Sequence, residues 1–185
     1  YEVLMRSNEG QRNYSGHVAA YTIRVYGDPV LKQMAAPITD IDGTVKALAE
    51  AMVETMYAAP GLGLAAPQVG VQKRLFVYDL QEGDGPQTLV NPVIAESRGE
   101  WEYEEGCLSV PGLRGVVPRW AHIRYSGHDQ AGRPIDREAE GFHARVVQHE
   151  CDHLIGTLYP MRIRDFRRFA YTSVLFPDLE AAQDD

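Results

Sequence analysis

Apolar residues recur along this chain with two different periods. Val45, Leu48, Ala49, Met52, Val53 and Met56 repeat at three- and four-residue spacing. They trace one face of a helix that starts near Asp42 and is closed by Pro60. Phe142, Val146, His149 and His153 share that spacing and predict a second helix running to about Ile155, with Gly156 as its stop. Elsewhere the pattern is that of strands, at residues 21–25, 74–79, 88–95 and 98–103, with a short one at 107–110 stopped by Pro111-Gly112. Residues 121–126 and 133–136 flank a turn at 129–132 and predict a hairpin. Gly27-Asp28-Pro29 and Gly83-Asp84-Gly85-Pro86 mark a turn and a loop. Strands followed by a helix laid on one side predict an α+β class, a single domain of antiparallel or mixed β-sheets packed around a central helix.

Composition narrows the picture. A chain of 185 residues with 44% hydrophobic content fits one globular domain with a core of ordinary size. The net charge of −8 offers no basic surplus for direct nucleic-acid binding. No apolar run approaches the ~20 residues a membrane span needs. The two cysteines lack C-x-x-C spacing and give no disulfide framework. Residues 1–20 are polar and aperiodic, without the apolar region of a signal peptide. They are expected to be a disordered extension or a cloning remnant, leaving 21–185 as the domain.

The sharpest chemistry lies in the second predicted helix, at Gln148-His149-Glu150-Cys151-Asp152-His153. Histidines four apart share a helix face, so both imidazoles can reach one metal ion. The adjacent glutamate can serve as general base toward a water at that metal. At about 100° per residue, Cys151 points away from this face and reads as a packed thiol. Asp152 flanks the face, either as an anchor behind a ligand or as a salt-bridged surface carboxylate.

A catalytic site needs a third ligand. The extended pattern H-E-x-x-H-x-x-G-x-x-H fails, because its last position is Tyr159. The only later glutamate, Glu180, sits in an acidic tail without helical pattern. Upstream, Cys107 lies in Glu105-Gly106-Cys107-Leu108-Ser109. A thiolate and two imidazoles leave one open tetrahedral position, although Cys107 taken alone reads more readily as a buried strand residue. A third segment, GLGLAAPQ at 61–68, superficially matches a dinucleotide fingerprint. It follows a helix rather than a strand, and Pro67 is poorly placed in a helix, so that reading fails. Its glycines suggest instead a backbone that another group approaches closely.

Together, GLGLAAPQ, EGCLS and QHECDHLIG resemble the peptide deformylase family in order, spacing and every defining position, over about residues 20–160. The resemblance implies hydrolysis of the formyl group from formyl-Met nascent peptides by a domain at 21–185. It implies Cys107, His149 and His153 as ligands to Fe²⁺, with zinc, nickel or cobalt able to substitute. Glu150 would be the base, with Gln68 and the Leu108 N–H as oxyanion donors. Leu62, Gly63 and Gly106 would offer backbone groups to an extended peptide. Tyr103, Phe142 and Val146 would line a methionine pocket, and Arg114 would stand near the peptide mouth. Arg119 is a candidate partner for Glu105. For both arginines, plain surface solvation remains the alternative.

The family also implies a bacterial cytoplasmic setting, with an organelle as the alternative. Some members dock on the ribosome through a long basic C-terminal helix. Here Arg162, Arg164, Arg167 and Arg168 form only a short cluster, and Val174, Leu175 and Phe176 suggest a strand or packed tail. Transient ribosome association by that device is therefore in doubt. Two rivals remain: an HExxH peptidase cleaving internal bonds, and a non-catalytic metal-binding protein on the same scaffold.

Overall fold

The computed structural model describes residues 21–172. Both helices form where the periodicity places them. Helix α1 (Gly43–Ala58) is capped by Asp42, whose side chain accepts from the N–H groups of Thr44 and Val45. Helix α2 (Gly141–His153) ends two residues before the expected Ile155. Gly156 then turns the chain at φ +72°, and a Cβ there would sit 2.6 Å from the Lys32 backbone. Only glycine fits both the angle and the contact.

Strands β1 (Gly63–Ala65), β2 (Leu75–Tyr78), β3 (Gln87–Cys107), β4 (Val110–His128) and β5 (Pro134–Glu140) pair in sequence order. A sixth, β6 (Phe169–Tyr171), pairs with β4. All these pairings are antiparallel, and the α+β expectation holds. The hairpin expected around residues 129–132 joins β4 to β5, and Asp129 ties its turn by accepting from Ala131 and Arg133 N–H.

Three expectations need correction. The strands expected at 88–95 and 98–103 are one continuous β3. The polar interruption between them is a register shift between Ile94 and Glu96, a bulge that bends the strand without ending it. The expected 107–110 strand is instead the hairpin turn between β3 and β4, with Cys107 opposite Val110. Pro111-Gly112 does not stop that segment; both lie inside β4, in the register shift between the Val110–Cys107 and Gly115–Glu105 pairs, and β6 pairs alongside from Leu113. Residues 21–25 form no strand. Their extended backbone is held by single bonds, from Tyr21 N–H to the Thr55 hydroxyl and from Arg24 N–H to the Gln68 carbonyl.

Strand β2 shows why the core surrounds α2. Leu75 and Val77 face Val45, Ala49, Met52 and Met56 of α1. Phe76 and Tyr78 face Ala144, Val146 and Val147 of α2. With period two, one strand is buried on both sides. Each such side chain contributes roughly 1.5–3 kcal/mol when fully covered. The tail expectation for Val174–Phe176 lies outside the described residues. The basic cluster is electrostatically spent: Arg162 pairs with Asp152, Arg164 with Glu100, Arg167 with Asp165 and Arg168 with Glu102.

Candidate metal centre and active site

Three separate pieces of chain converge on one face of α2. His149 and His153, one turn apart, present their rings at 76° with centroids 5.0 Å apart. Cys107, the last residue of β3, brings its Sγ to 3.3 Å from His153 Nε2. All three residues are buried, and one donor atom from each lies within 4.8 Å of the others. Bonds of about 2.0–2.3 Å in a tetrahedral site put neighbouring donors roughly 3.3–3.7 Å apart, so this set fits a divalent ion after small adjustments.

A buried carboxylate orients the first ligand. Glu105 Oε2 lies 2.8 Å from His149 Nδ1, which leaves Nε2 for the metal. Glu105 is fully buried, and burial alone would raise its pKa. The Arg119 guanidinium outweighs that through a two-pronged pair (2.8 and 2.9 Å), with help from His149, and holds the carboxyl well below its usual range. Arg119 continues to Asp152, which also binds Arg162 at 2.6 Å. Asp152 is therefore an anchor behind the candidate ligands, and Arg119 is the partner expected for Glu105. Cys151 stands apart from the ligands, half-buried against the core, and burial pushes its thiol up to about 12.

Gln68 is only 1% exposed. Its Oε1 accepts from Ala65 N–H at 2.8 Å, which fixes the amide's orientation. Its NH₂ group accordingly points to Cys107 Sγ at 3.5 Å and Ser109 Oγ at 3.1 Å. Leu108 occupies the turn immediately after Cys107, so its backbone N–H adjoins the thiol.

Glu150 is 1% exposed, and burial raises its carboxyl to about 7. Among the described residues, its Oε2 has no hydrogen-bond partner. Its Oε1 rests over Gly63, where a Cβ would come within 2.2 Å. Gly61 is constrained likewise, since a Cβ there would lie 2.7 Å from Leu108 Cδ1. The close approach expected for the glycines of residues 61–63 is real, and both partners belong to the site.

The expected peptide-binding residues are less uniform. Gly63 and Gly106 are buried beside the centre, and Arg114, 6% exposed, packs over Gly106. The Leu62 carbonyl already accepts from Asp79 N–H at 2.9 Å, which leaves its N–H as the backbone group not engaged in that pairing. Tyr103 is exposed and Phe142 half-buried. Val146 is wholly buried in the core, so it backs a pocket rather than opening onto one.

Two contributors escaped the sequence reading. Ser109, fully buried, takes one hydrogen bond from Gln68 and donates its N–H to Cys107 Sγ. Arg145, also fully buried, donates to Glu105 at 2.7 Å. A signal for Arg145 existed: it is a charged residue one turn before His149, on the helix face of Phe142 and Val146.

Comparison with known proteins follows the same lines. The family model described as polypeptide deformylase matches residues 20–169. A peptide deformylase of Bordetella bronchiseptica is 55% identical, in an alignment covering 89% of this chain and 99% of its own. One of Pseudomonas putida is 52% identical, covering 85% and 96%. Among solved structures, a peptide deformylase from Thermotoga maritima superposes with a TM-score of 0.76 at 45% identity, covering 79% of this chain and 99% of that one. Another, from Synechococcus elongatus in complex with actinonin, gives 0.78 at 38% identity, covering 85% and 87%.

Proposed function

This chain belongs to the polypeptide deformylase family, and on that premise we propose how its residues carry out the reaction. The enzyme is metal-dependent and hydrolyses the N-formyl group of newly synthesised polypeptides, releasing formate and a free amino end. Cys107, His149 and His153 would hold the metal. One sulfur and two nitrogens suit Fe²⁺, the ion we propose, and equally zinc, nickel or cobalt. When bound, the metal supplies Lewis acidity toward the formyl oxygen and lowers the pKa of water.

The protein's own groups do the rest. Glu150, buried and with an Oε2 unpartnered among the described residues, takes the proton from the attacking water. Its pKa near 7 lets it hold that proton and then give it to the departing nitrogen, which is a poor leaving group unless protonated. The Gln68 amide, fixed by Ala65, and the Leu108 N–H donate to the formyl oxygen as negative charge develops there. The peptide lies extended past Gly63, Gly106 and the Leu62 N–H, with Arg114 at the mouth. Tyr103 and Phe142 line the methionine pocket, with Val146 behind them.

The observation that carries this reading is the Gln68 NH₂ directed at Cys107 Sγ beside the two histidines. An internal-bond peptidase has no use for that arrangement, and a non-catalytic scaffold has no need of Glu150 poised over Gly63. We place the enzyme in a bacterial cytoplasm. No helix among the described residues is long and apolar enough to cross a membrane. Any association with the ribosome would need a device other than the paired arginines at 162–168.

Acyl selectivity tests the assignment. A methyl in place of the formyl hydrogen is worth only about 1–3 kcal/mol in an ordinary apolar pocket. Here it would enter the space between Gln68, Leu108 and the ligands, and displacement by about 1 Å alone costs about 10²-fold. The iron-loaded protein, handled without oxygen, should release formate from formyl-Met-Ala-Ser at least about 10²-fold faster in kcat/KM than acetate from acetyl-Met-Ala-Ser. Comparable rates, or cleavage of the blocked peptide at an internal bond, refute it.

A further inference from the structure

Arg145 has no part in the mechanism above, yet it is fully buried. Burying a guanidinium costs several kcal/mol unless every contact is well made. Neutralising Glu105 does not require it, because Arg119 already pairs with both oxygens of that carboxylate. Its other contacts lie elsewhere. Nη2 donates to the Trp101 carbonyl at 2.6 Å and Nη1 to the Val117 carbonyl at 3.0 Å. The guanidinium carbon sits 4.8 Å from the Trp101 ring centroid and 5.8 Å from that of Tyr103. Trp101 and Tyr103, two apart on β3, share a sheet face with ring centroids 4.8 Å apart. Arg145 also shares the α2 face of Phe142, Val146 and His149, three residues after the first and four before the last.

One planar cation thus touches two things at once. Its flat side supports the aromatic pair that includes the pocket residue Tyr103. Its edge fixes the carboxylate that orients the metal ligand His149. We propose that Arg145 is a positioning residue that ties the wall of the first side-chain pocket to the Glu105–His149 pair, and that it sets selectivity for the peptide's first residue. This rests on the deformylase reading of the site. A guanidinium suits the task because it stacks and donates in its plane together; a lysine ammonium has the charge without the plane.

The test compares Arg145→Met, Arg145→Lys and Trp101→Leu with the parent protein. Methionine fills similar volume, and Glu105 keeps its two-pronged pair with Arg119, so the substitution does not leave that carboxylate unpaired. The readouts are the KM ratio for formyl-Met-Ala-Ser against formyl-Ala-Ala-Ser, calorimetric binding of the product peptides Met-Ala-Ser and Ala-Ala-Ser, and metal content after dialysis against a chelator. Arg145→Met should lose about tenfold of the preference for Met over Ala, chiefly in KM and in product binding, and should retain less metal. Arg145→Lys should lose most of the same preference. Trp101→Leu combined with Arg145→Met should lose no more than the worse single variant, since both act through one stack. If Arg145→Met fails to fold, the Arg145→Lys and Trp101→Leu ratios decide. Variants that keep the parent's Met preference within about twofold refute the proposal and leave the deformylase reading intact. A parent protein that releases no formate refutes that reading itself.

Discussion

Adding one methyl group to Gly63 should disable the enzyme while leaving the fold standing. A Cβ at Gly63 would lie 2.2 Å from Glu150 Oε1, 2.8 Å from its Cδ and 3.1 Å from its Cγ. Non-bonded carbons approach to roughly 3.5 Å, so the carboxylate and the strand must separate by about 1 Å. Strand β1 is buried at all three positions and paired with β2 through Gly63, Leu64 and Ala65, so it cannot retreat. The carboxylate is the softer partner, because its Oε2 has no bond among the described residues to hold it in place. Gly63→Ala should therefore cost only about 1–3 kcal/mol of stability, as overpacking does. The same displacement moves the base from its proton by about 1 Å, which costs about 10²-fold in kcat. Metal content should be unchanged, since the three atoms nearest that Cβ all belong to Glu150 and none to a proposed ligand. Gly106→Ala is the comparison: its Cβ would make only ordinary contacts, at 3.7 Å. Any loss there should fall on KM, where an approaching peptide backbone would meet the new methyl. Steady-state kinetics with elemental analysis and a thermal melt separate these effects. A folded, metal-loaded Gly63→Ala protein with kcat near that of the parent would refute the placement of Glu150 as the reacting base.

Further outcomes follow from the same geometry. Glu150→Ala should keep its metal yet lose about 10²–10⁴-fold in turnover, more if one carboxylate moves both protons; near-normal turnover with metal bound removes it from the mechanism. Cys107→Ala should lose metal or activity sharply, whereas Cys151→Ala should cost at most some stability; metal analysis of both proteins would expose the reverse pattern. The metal-free protein should also show a pH signature. Glu150's folded pKa of about 7 is raised above the 4.5 of a free glutamate, so its contribution is fully present below 4.5 and is lost as pH rises through 7. Relative to Glu150→Gln, the metal-free parent should therefore melt at progressively lower temperature between pH 5 and about 7.5, and a constant difference would contradict the buried, unpartnered carboxyl.

The helix carrying His149 and His153, and the convergence of Cys107 with them, were legible in the sequence because their chemistry is local or separately marked. His149, Glu150 and His153 need only helical spacing to share a face, and α1 needs only its apolar stripe and Asp42. The glycines at 61 and 63 announced a close approach, though not to what. What the sequence left open depended on long-range packing. The bulge at Ile94–Glu96 reads as a strand end, since a polar break looks the same whether the ladder continues across it or not. Pro111-Gly112 reads as a stop, and only the register shift in the β3–β4 ladder between Val110 and Gly115 lets proline remain within a strand. Arg145 stands on the apolar face of its helix by spacing alone, but a sequence does not record that Glu105, forty residues earlier, will be folded against it. Local periodicity and capping are properties of neighbouring residues and survive in the one-dimensional string. Burial, register and charge pairing are set by which distant segments meet, so the wall behind the proposed methionine pocket and the Glu105 anchor on His149 exist only once the sheet has closed around α2.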